Sequence, residues 1–162
     1  MSTRNLPFAG EQLAALSAGQ RQRLAYIEFR VWFHGEVARK DVLTRFEIAT
    51  AAGTRDLALY QSLAPHNVVY ERKAFRHLPS FAPLFEHDVN RVLAALTNGF
   101  AAGETLSTDT LPHAGPVPLN LPELSTLATV TRAMAQGHVL GLTYHSMKKG
   151  PAKRQIVPHA LV

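Results

Sequence analysis

The chain has 162 residues, 46% hydrophobic and 18% charged, with a formal net charge of +5 and no cysteine. That is room for one ordinary domain or two small ones with a sizeable core. It excludes an intrinsically disordered chain, a disulfide framework and a thiolate zinc site. The charge is unevenly spread: residues 1–82 hold eleven Lys and Arg against seven acids, residues 83–137 two against five, and residues 138–162 four against none. A nucleic-acid surface would therefore belong to the two ends and not to the acidic middle.

The first ten residues carry no periodicity and read as an arm. Ser17 is a good N-cap for a helix over Ala18–His34 that Gly35 closes. Leu24, Ile27, Val31 and His34 draw one apolar stripe along it, widened by Tyr26, Phe29 and Phe33. A short helix fits Lys40–Phe46, with Val42, Leu43 and Phe46 turned inward. After Glu47-Ile48-Ala49, Thr50 is the expected cap of a third helix that runs to about Leu63, with Pro65 to stop it. Asn67–Glu71 and Ala74–Leu78 read as short strands around an Arg72-Lys73 turn.

Phe81, Leu84 and Phe85 cluster around Pro83. A helix fits about His87–Phe100, burying Val89, Val92, Leu93 and Leu96, with Glu86-His87-Asp88 as its negative first turn. Residues 101–122 contain four prolines and little periodicity, the character of a linker. Helical spacing returns over Ser125–Gln136 through Leu127, Val130 and Met134, and Gly137 ends it. His138–Ser146 reads as a strand, Lys148–Pro151 as a turn, and Arg154–Val162 as a second strand. No internal repeat is visible.

Three short helices followed by a two-stranded ribbon make the layout of a winged helix-turn-helix. In that module the second and third helices pack through a few apolar side chains, here Val42, Phe46, Ile48, Leu57 and Tyr60, leaving the far face of the third helix for a major groove. That face begins Thr50-Ala51-Ala52-Gly53-Thr54-Arg55, small residues around one Arg, which suits close approach to base edges. Arg55 suits a guanine, and the Thr50 and Thr54 hydroxyls suit phosphate or base. Arg39 and Lys40 suit phosphates, and Arg72, Lys73 and Arg76 suit an adjacent groove or backbone. Blander readings stand beside these. Such spacing also occurs in plain interaction domains, Arg55 can be a solvated surface charge, and Lys148-Lys149 a solvated turn. Asp56 reads as structural, because DNA would repel a carboxylate on that face.

The runs Arg23-Leu24-Ala25-Tyr26-Ile27-Glu28-Phe29, Gly35-Glu36-Val37-Ala38-Arg39-Lys40-Asp41-Val42-Leu43, Phe46-Glu47-Ile48 and Asp56-Leu57-Ala58-Leu59-Tyr60 carry a resemblance, as do Ala64-Pro65-His66-Asn67-Val68-Val69-Tyr70 and Phe81-Ala82-Pro83-Leu84-Phe85. Together they resemble the N-terminal half of WYL-domain transcriptional regulators of bacteria, especially those accompanying phage-defence systems. The resemblance resumes at Leu127, in Gly137-His138-Val139-Leu140, Tyr144-His145-Ser146 and Arg154-Gln155-Ile156-Val157-Pro158-His159-Ala160-Leu161-Val162. It implies an α+β chain with a winged-helix DNA-binding domain over 1–86, a helix and Pro/Gly-rich linker over 87–122, and the start of an Sm-like β-barrel WYL domain over 123–162. It also implies a homodimeric repressor on an inverted-repeat operator, released by a nucleotide or nucleic-acid ligand. Tyr144, Ser146, Arg154 and His159 fall where that family's pocket begins. No Trp-Tyr-Leu signature follows them, and the single tryptophan is Trp32. The expectation is therefore a fragment with an incomplete sensor, whose last hairpin pairs across a dimer or leans on the preceding helix.

Enzyme chemistry finds little support. None of the eight histidines falls in His-x-x-x-His spacing, and there is no Gly-rich phosphate loop or Gly-x-Ser-x-Gly elbow. No metal, cofactor or catalytic residue is expected. No stretch approaches the roughly 18 apolar residues of a membrane span, and the opening MSTRNLPFAG lacks a signal-peptide core, so the expected location is cytoplasmic. The alternative to a DNA repressor is an interaction or nucleotide-sensing module without specific DNA binding.

Overall fold

The computed structural model describes residues 6–100, 121–147 and 150–161. In chain order the elements are α1 (Leu6–Ala15), α2 (Ala18–His34), β1 (Glu36–Ala38), α3 (Arg39–Phe46), α4 (Thr50–Leu63), β2 (Val68–Glu71), β3 (Ala74–His77), α5 (Val89–Asn98), α6 (Leu124–Gln136), β4 (Leu140–Ser146) and β5 (Gly150–Ile156). They fall into two compact units. One combines the residues up to Phe85 with those from Ala128 onward, and the other is Glu86–Leu127. The segment over 123–162, expected to open a separate domain, thus clusters from Ala128 with the winged-helix residues.

α2 carries the core. The Ser17 Oγ accepts from the Gln20 N–H at 3.3 Å, and Gly35, at φ 88°, closes the helix through its N–H to the Val31 carbonyl. Leu24, Ile27, Val31 and Phe33 are fully buried, with Tyr26 and Phe29 nearly so. The cap residues and the apolar stripe of this helix follow directly from its sequence.

The arm expected at the N-terminus is in part helical. α1 lacks a strong stripe, and its end is held from outside: the Arg21 guanidinium donates to the Ala14 and Leu16 carbonyls, both at 3.3 Å. That places a cation on the last carbonyls of a helix, where the macrodipole favours it.

β1 was not legible in the sequence. Three residues between two helices are too few for an alternation to show. It pairs antiparallel with β3 as Glu36↔Arg76, Val37↔Phe75 and Ala38↔Ala74, making the sheet order β1-β3-β2. β2 completes the wing with Val68↔His77, Val69↔Arg76, Tyr70↔Phe75 and Glu71↔Ala74. Alternation then separates Val37, Phe75 and Tyr70 on one face from Glu36, Arg76 and Val69 on the other.

A buried polar cluster fastens the chain leaving the wing. Glu28 lies in the middle of α2 and is fully buried. Its carboxylate accepts from the Tyr60 hydroxyl at 3.1 Å and from the Leu84 and Phe85 N–H groups at 2.8 and 3.0 Å. Asn67 donates to the Tyr60 oxygen at 3.1 Å and to the Ala82 carbonyl at 2.7 Å, and accepts from the Ala82 N–H at 2.8 Å. Burial and the adjacent Glu28 carboxylate raise the Tyr60 phenol above its ordinary value, so it stays a donor.

α6 runs as expected from near Ser125 and ends at Gly137, at φ 66°. Its buried residues include Ala128, Thr131 and Ala133, with Val130 and Met134 only partly covered. The Arg132 guanidinium donates to the Trp32 carbonyl of α2 at 2.7 Å. The Gln136 side chain comes close to the backbone at Gly35. A Cβ there would lie 2.9 Å from the Gln136 Cδ, in addition to the strain of a positive φ. Gly35→Ala is expected to lower stability by about 1–3 kcal/mol, checked by urea denaturation.

β4 and β5 form a separate two-stranded sheet from Leu140↔Ile156 to Ser146↔Gly150. The second strand starts four residues earlier than expected, and Pro151 pairs within it opposite His145 instead of in a turn. Proline is tolerated there because both strands are sheet edges. Much of the hairpin is open, with Val139, Tyr144, Met147, Ile156 and Val157 all exposed. In the second unit, α5 is shorter than its predicted span. It is capped by Asp88, whose carboxylate accepts from the Arg91 N–H at 3.0 Å, and it buries Val92. Most of the expected linker, 101–120, and Lys148-Lys149 lie outside the described residues.

Two histidines in the first unit give a pH signature. Burial lowers His34 to about 4, helped by the Arg30 charge. Burial likewise lowers His77 to about 4, helped by Arg132. The unfolded chain, with histidines near 6.5, therefore binds more protons than the fold between those values. Stability is complete above about pH 6.5 and is lost as pH falls toward 4. In phosphate-free buffer, the pair His34→Gln and His77→Gln should flatten the acid side of the melting-temperature profile.

Candidate nucleic-acid interface

The turn between α3 and α4 sets how the two helices cross. Glu47 ends α3 in the left-handed region at φ 50°, and Ala49 is the residue before α4. Thr50, expected as the cap, is the first helical residue. The turn itself supplies the entry, with the Ala52 and Gly53 N–H groups on the Ala49 carbonyl. Tyr26 packs edge-on against Phe46, with centroids 5.4 Å apart, and Val42, Leu57 and Tyr60 are buried in the junction.

Gly53 does not serve the outer face as expected. It is buried, and a Cβ on it would sit 2.6 Å from Leu43 Cδ2. Its smallness brings α3 and α4 together, in the way small residues permit close helix crossings. Asp56 also turns inward. It is 2% exposed, and its carboxylate accepts from Arg23 Nε at 2.6 Å and from Gln20 Nε2 at 3.3 Å. This agrees with the structural role expected of it.

The outer face of α4 presents Thr50, Ala51, Thr54, Arg55 and Ala58, all exposed. Thr54 has a local role. Its hydroxyl donates to the Thr50 carbonyl at 2.9 Å and accepts from Arg39 Nη1 at 3.4 Å, so it orients Arg39. Arg39 and Lys40 are exposed in the first turn of α3. Cations there oppose the helix dipole by about 0.3–1 kcal/mol each. Asp41 offsets them by accepting the Ala38 N–H at 2.8 Å.

Between α4 and the wing runs an open groove of about 600 Å³ whose walls include Arg39, Thr54, Gln61, Tyr70, Lys73 and Phe75. Tyr70 is 60% exposed and stands opposite Phe75, ring centroids 5.1 Å apart. Gln61 and Tyr70 were missed in the sequence. An aromatic two residues before a basic turn is the signal that could have singled out Tyr70.

The wing tip is basic and strained. Arg72 and Lys73 have φ of 50° and 68°, the paired left-handed conformation that a two-residue hairpin turn prefers to fill with Asn-Gly. Replacing the pair with Asn-Gly is expected to stabilise the fold by about 1–2 kcal/mol while removing both charges. Thermal melting checks the gain.

Arg76 does not join this face. It lies on the opposite side of β3, with Nη2 3.1 Å from Glu36 and Nε 3.8 Å from Glu71. Alternation along the strand is the reason, since Phe75 takes the groove side. Among the residues expected to form a ligand pocket, Arg154 lies over the Tyr144 ring at 4.7 Å. Ser146 ends β4, and His159 follows the end of β5. Among the described residues no group of three or more His, Asp or Glu could hold a metal, and no helix is long and apolar enough to cross a membrane.

Three helices with a helix-turn-helix crossing, a three-stranded sheet and a basic wing define a winged helix-turn-helix domain. Residues 19–98 match the family model described as the BrxR transcriptional regulator winged helix-turn-helix domain. The chain is also similar to proteins named DNA-binding transcriptional repressor CapW. The protein from Stenotrophomonas maltophilia is 31% identical over 152 residues, covering 88% of this chain and 51% of that one. The protein from Escherichia coli (strain KTE188) is 27% identical over 153 residues, covering 89% and 51%. The one from Pseudomonas aeruginosa is 27% identical over 154 residues, with the same coverage. The chain spans about half the length of these curated relatives.

Proposed function

We propose that the chain binds double-stranded DNA as a sequence-specific transcriptional repressor, with α4 in the major groove and the β2–β3 tip on the adjacent backbone. The observation that carries this reading is the exposed face of α4, beside a groove lined by Arg39 and Lys73, with the adjacent Lys40 and Arg72 also exposed. The name DNA-binding transcriptional repressor, borne by its relatives, supports it. Arg55 reads a base edge, most naturally a guanine. Thr50 and Ala51 line the contact, Thr54 steers Arg39, and Arg39, Lys40, Arg72 and Lys73 hold phosphates.

The active form is a homodimer on an inverted repeat, as helix-turn-helix half-sites commonly are. The β4–β5 hairpin opens a WYL-type sensing domain that answers to a nucleotide or nucleic-acid ligand. The exposed faces of the hairpin and the Tyr144–Arg154 stack support that part of the reading.

The test is fluorescence anisotropy on DNA from upstream of the encoding gene and on scrambled DNA, over a salt series. Arg55→Ala should cost about 1–3 kcal/mol on the specific site alone. Arg72→Ala should weaken both DNAs alike and reduce the salt slope by about one. Binding that ignores salt and both substitutions would refute DNA recognition by this face and favour an interaction module.

A further inference from the structure

The groove between α4 and the wing combines an apolar floor with a cationic rim. Buried Leu57 and Phe75 form the floor, and the exposed Arg39 and Lys73 stand at the α3 side and the wing tip. Gln61 and Tyr70 complete the walls, and no acidic side chain among the described residues lines them. Elsewhere in the domain arginines are matched by carboxylates: Arg23 by Asp56, Arg30 by Asp41 and Arg76 by Glu36. Arg39 donates to the Thr54 hydroxyl, and neither it nor Lys73 has a carboxylate partner among the described residues.

Tyr70 is the unusual member of this lining. Strand alternation puts it on the groove side with Phe75, ring centroids 5.1 Å apart, and puts Glu71 on the other side with Arg76. Tyr70 is nevertheless 60% exposed. Neither its hydroxyl nor the Gln61 amide makes a hydrogen bond among the described residues. Tyrosine offers an apolar body with a polar tip, which suits a surface that is part apolar and part charged. A sugar–phosphate strand is such a surface, with apolar deoxyribose faces between charged phosphates.

We propose that the groove seats one backbone strand of the DNA. A phosphate lies between Arg39 and Lys73 and accepts from the Tyr70 hydroxyl, the neighbouring deoxyribose packs on the Tyr70 ring, and Gln61 donates to the adjoining phosphate. On the DNA-binding reading of α4, on which this seat depends, Tyr70 and Gln61 thus become contact residues. Gripped from helix and wing at once, the strand fixes the angle at which α4 enters the major groove. Such contacts set register and orientation and leave the choice of bases to α4.

Fluorescence anisotropy of the full chain tests this on the upstream and scrambled duplexes, and on upstream duplexes with single phosphates replaced by neutral methylphosphonates. Tyr70→Phe keeps the ring on Phe75 and removes only the hydroxyl. It should weaken binding to both sequences about tenfold, near the lower value for a hydrogen bond to a charged group. Gln61→Glu should weaken binding about tenfold at low salt, a loss that narrows as salt screens the added carboxylate. Neutralising one particular phosphate should weaken the parent chain and leave Tyr70→Phe no weaker than it already is. Both variants should melt as the parent does, since Tyr70 is exposed and Gln61 partly so. Full affinity in both, beside loss of the specific site in Arg55→Ala, would overturn the strand seat and leave α4 as the reading helix. Unchanged binding in Arg55→Ala as well would remove DNA recognition by this face, and the seat with it. Losses that add independently at every neutralised phosphate would show that Tyr70 touches none of them.

Discussion

Replacing Glu28 by alanine is expected to cost about 3–5 kcal/mol, since each buried donor left without its acceptor costs about 1–3 kcal/mol. The substitution strands three donors at once: the Tyr60 hydroxyl and the Leu84 and Phe85 N–H groups. Tyr60 is fully buried and cannot turn to water, and the two amides lie in a half-buried stretch. Glu28→Gln should recover only part of the loss, because its NH₂ meets donors where acceptors are needed. Urea denaturation reads both values. A loss below about 1 kcal/mol for Glu28→Ala would mean that the segment after the wing is held by its aromatic contacts instead. Those contacts exist, with Phe81 stacked on Trp32 at 5.3 Å and on His77 at 5.2 Å.

The Arg23–Asp56 pair should respond unequally to loss of its two members. Asp56 is 2% exposed and Arg23 21%. Removing Asp56 leaves a guanidinium that can reach water, at a cost of about 1–2 kcal/mol. Removing Arg23 leaves a carboxylate inside the fold with only the Gln20 amide at 3.3 Å. Arg23→Met is therefore expected to cost about 3 kcal/mol, near the lower end for a broken buried pair. Equal losses in thermal and urea melts would show that Arg23 is not what makes Asp56 tolerable there. Because Asp56 adjoins Arg55, the same variants test whether the fastening of α4 governs DNA affinity.

Much of this architecture could be read from side-chain pattern, and the exceptions share a cause. α2, its two caps and the wing strands follow from local signals: Ser17, Gly35, a stripe at helical spacing, and two β-rich runs around a basic turn. β1 is too short to carry a period, and α1 depends on a cap from Arg21 far from its own pattern. On the candidate face, the exposure of Arg39, Lys40, Arg55, Arg72 and Lys73 was foreseeable from composition and helix order. The inward turn of Gly53 was not, because a glycine suits a close helix crossing as well as a close approach to DNA. Arg76 was grouped with the basic tip of the wing, whereas alternation along β3 puts it on the face opposite Phe75. Glu28 gives no hint in the sequence, since an acid on a helix is ordinarily a solvated one.

The hydrogen bond from Arg132 to the Trp32 carbonyl has a mechanical meaning. Near its start α2 grips α4 through Arg23 and Asp56, and near its end it receives α6 at Trp32 and Gly35. At 17 residues it is a rod about 25 Å long. Levered from the α6 end, a tilt of about 5° would displace the opposite end by about 2 Å, enough to break hydrogen bonds that tolerate only a few tenths of an ångström. A force applied beyond α6 would need no contact with α4 to shift it; it would only have to push on the lever.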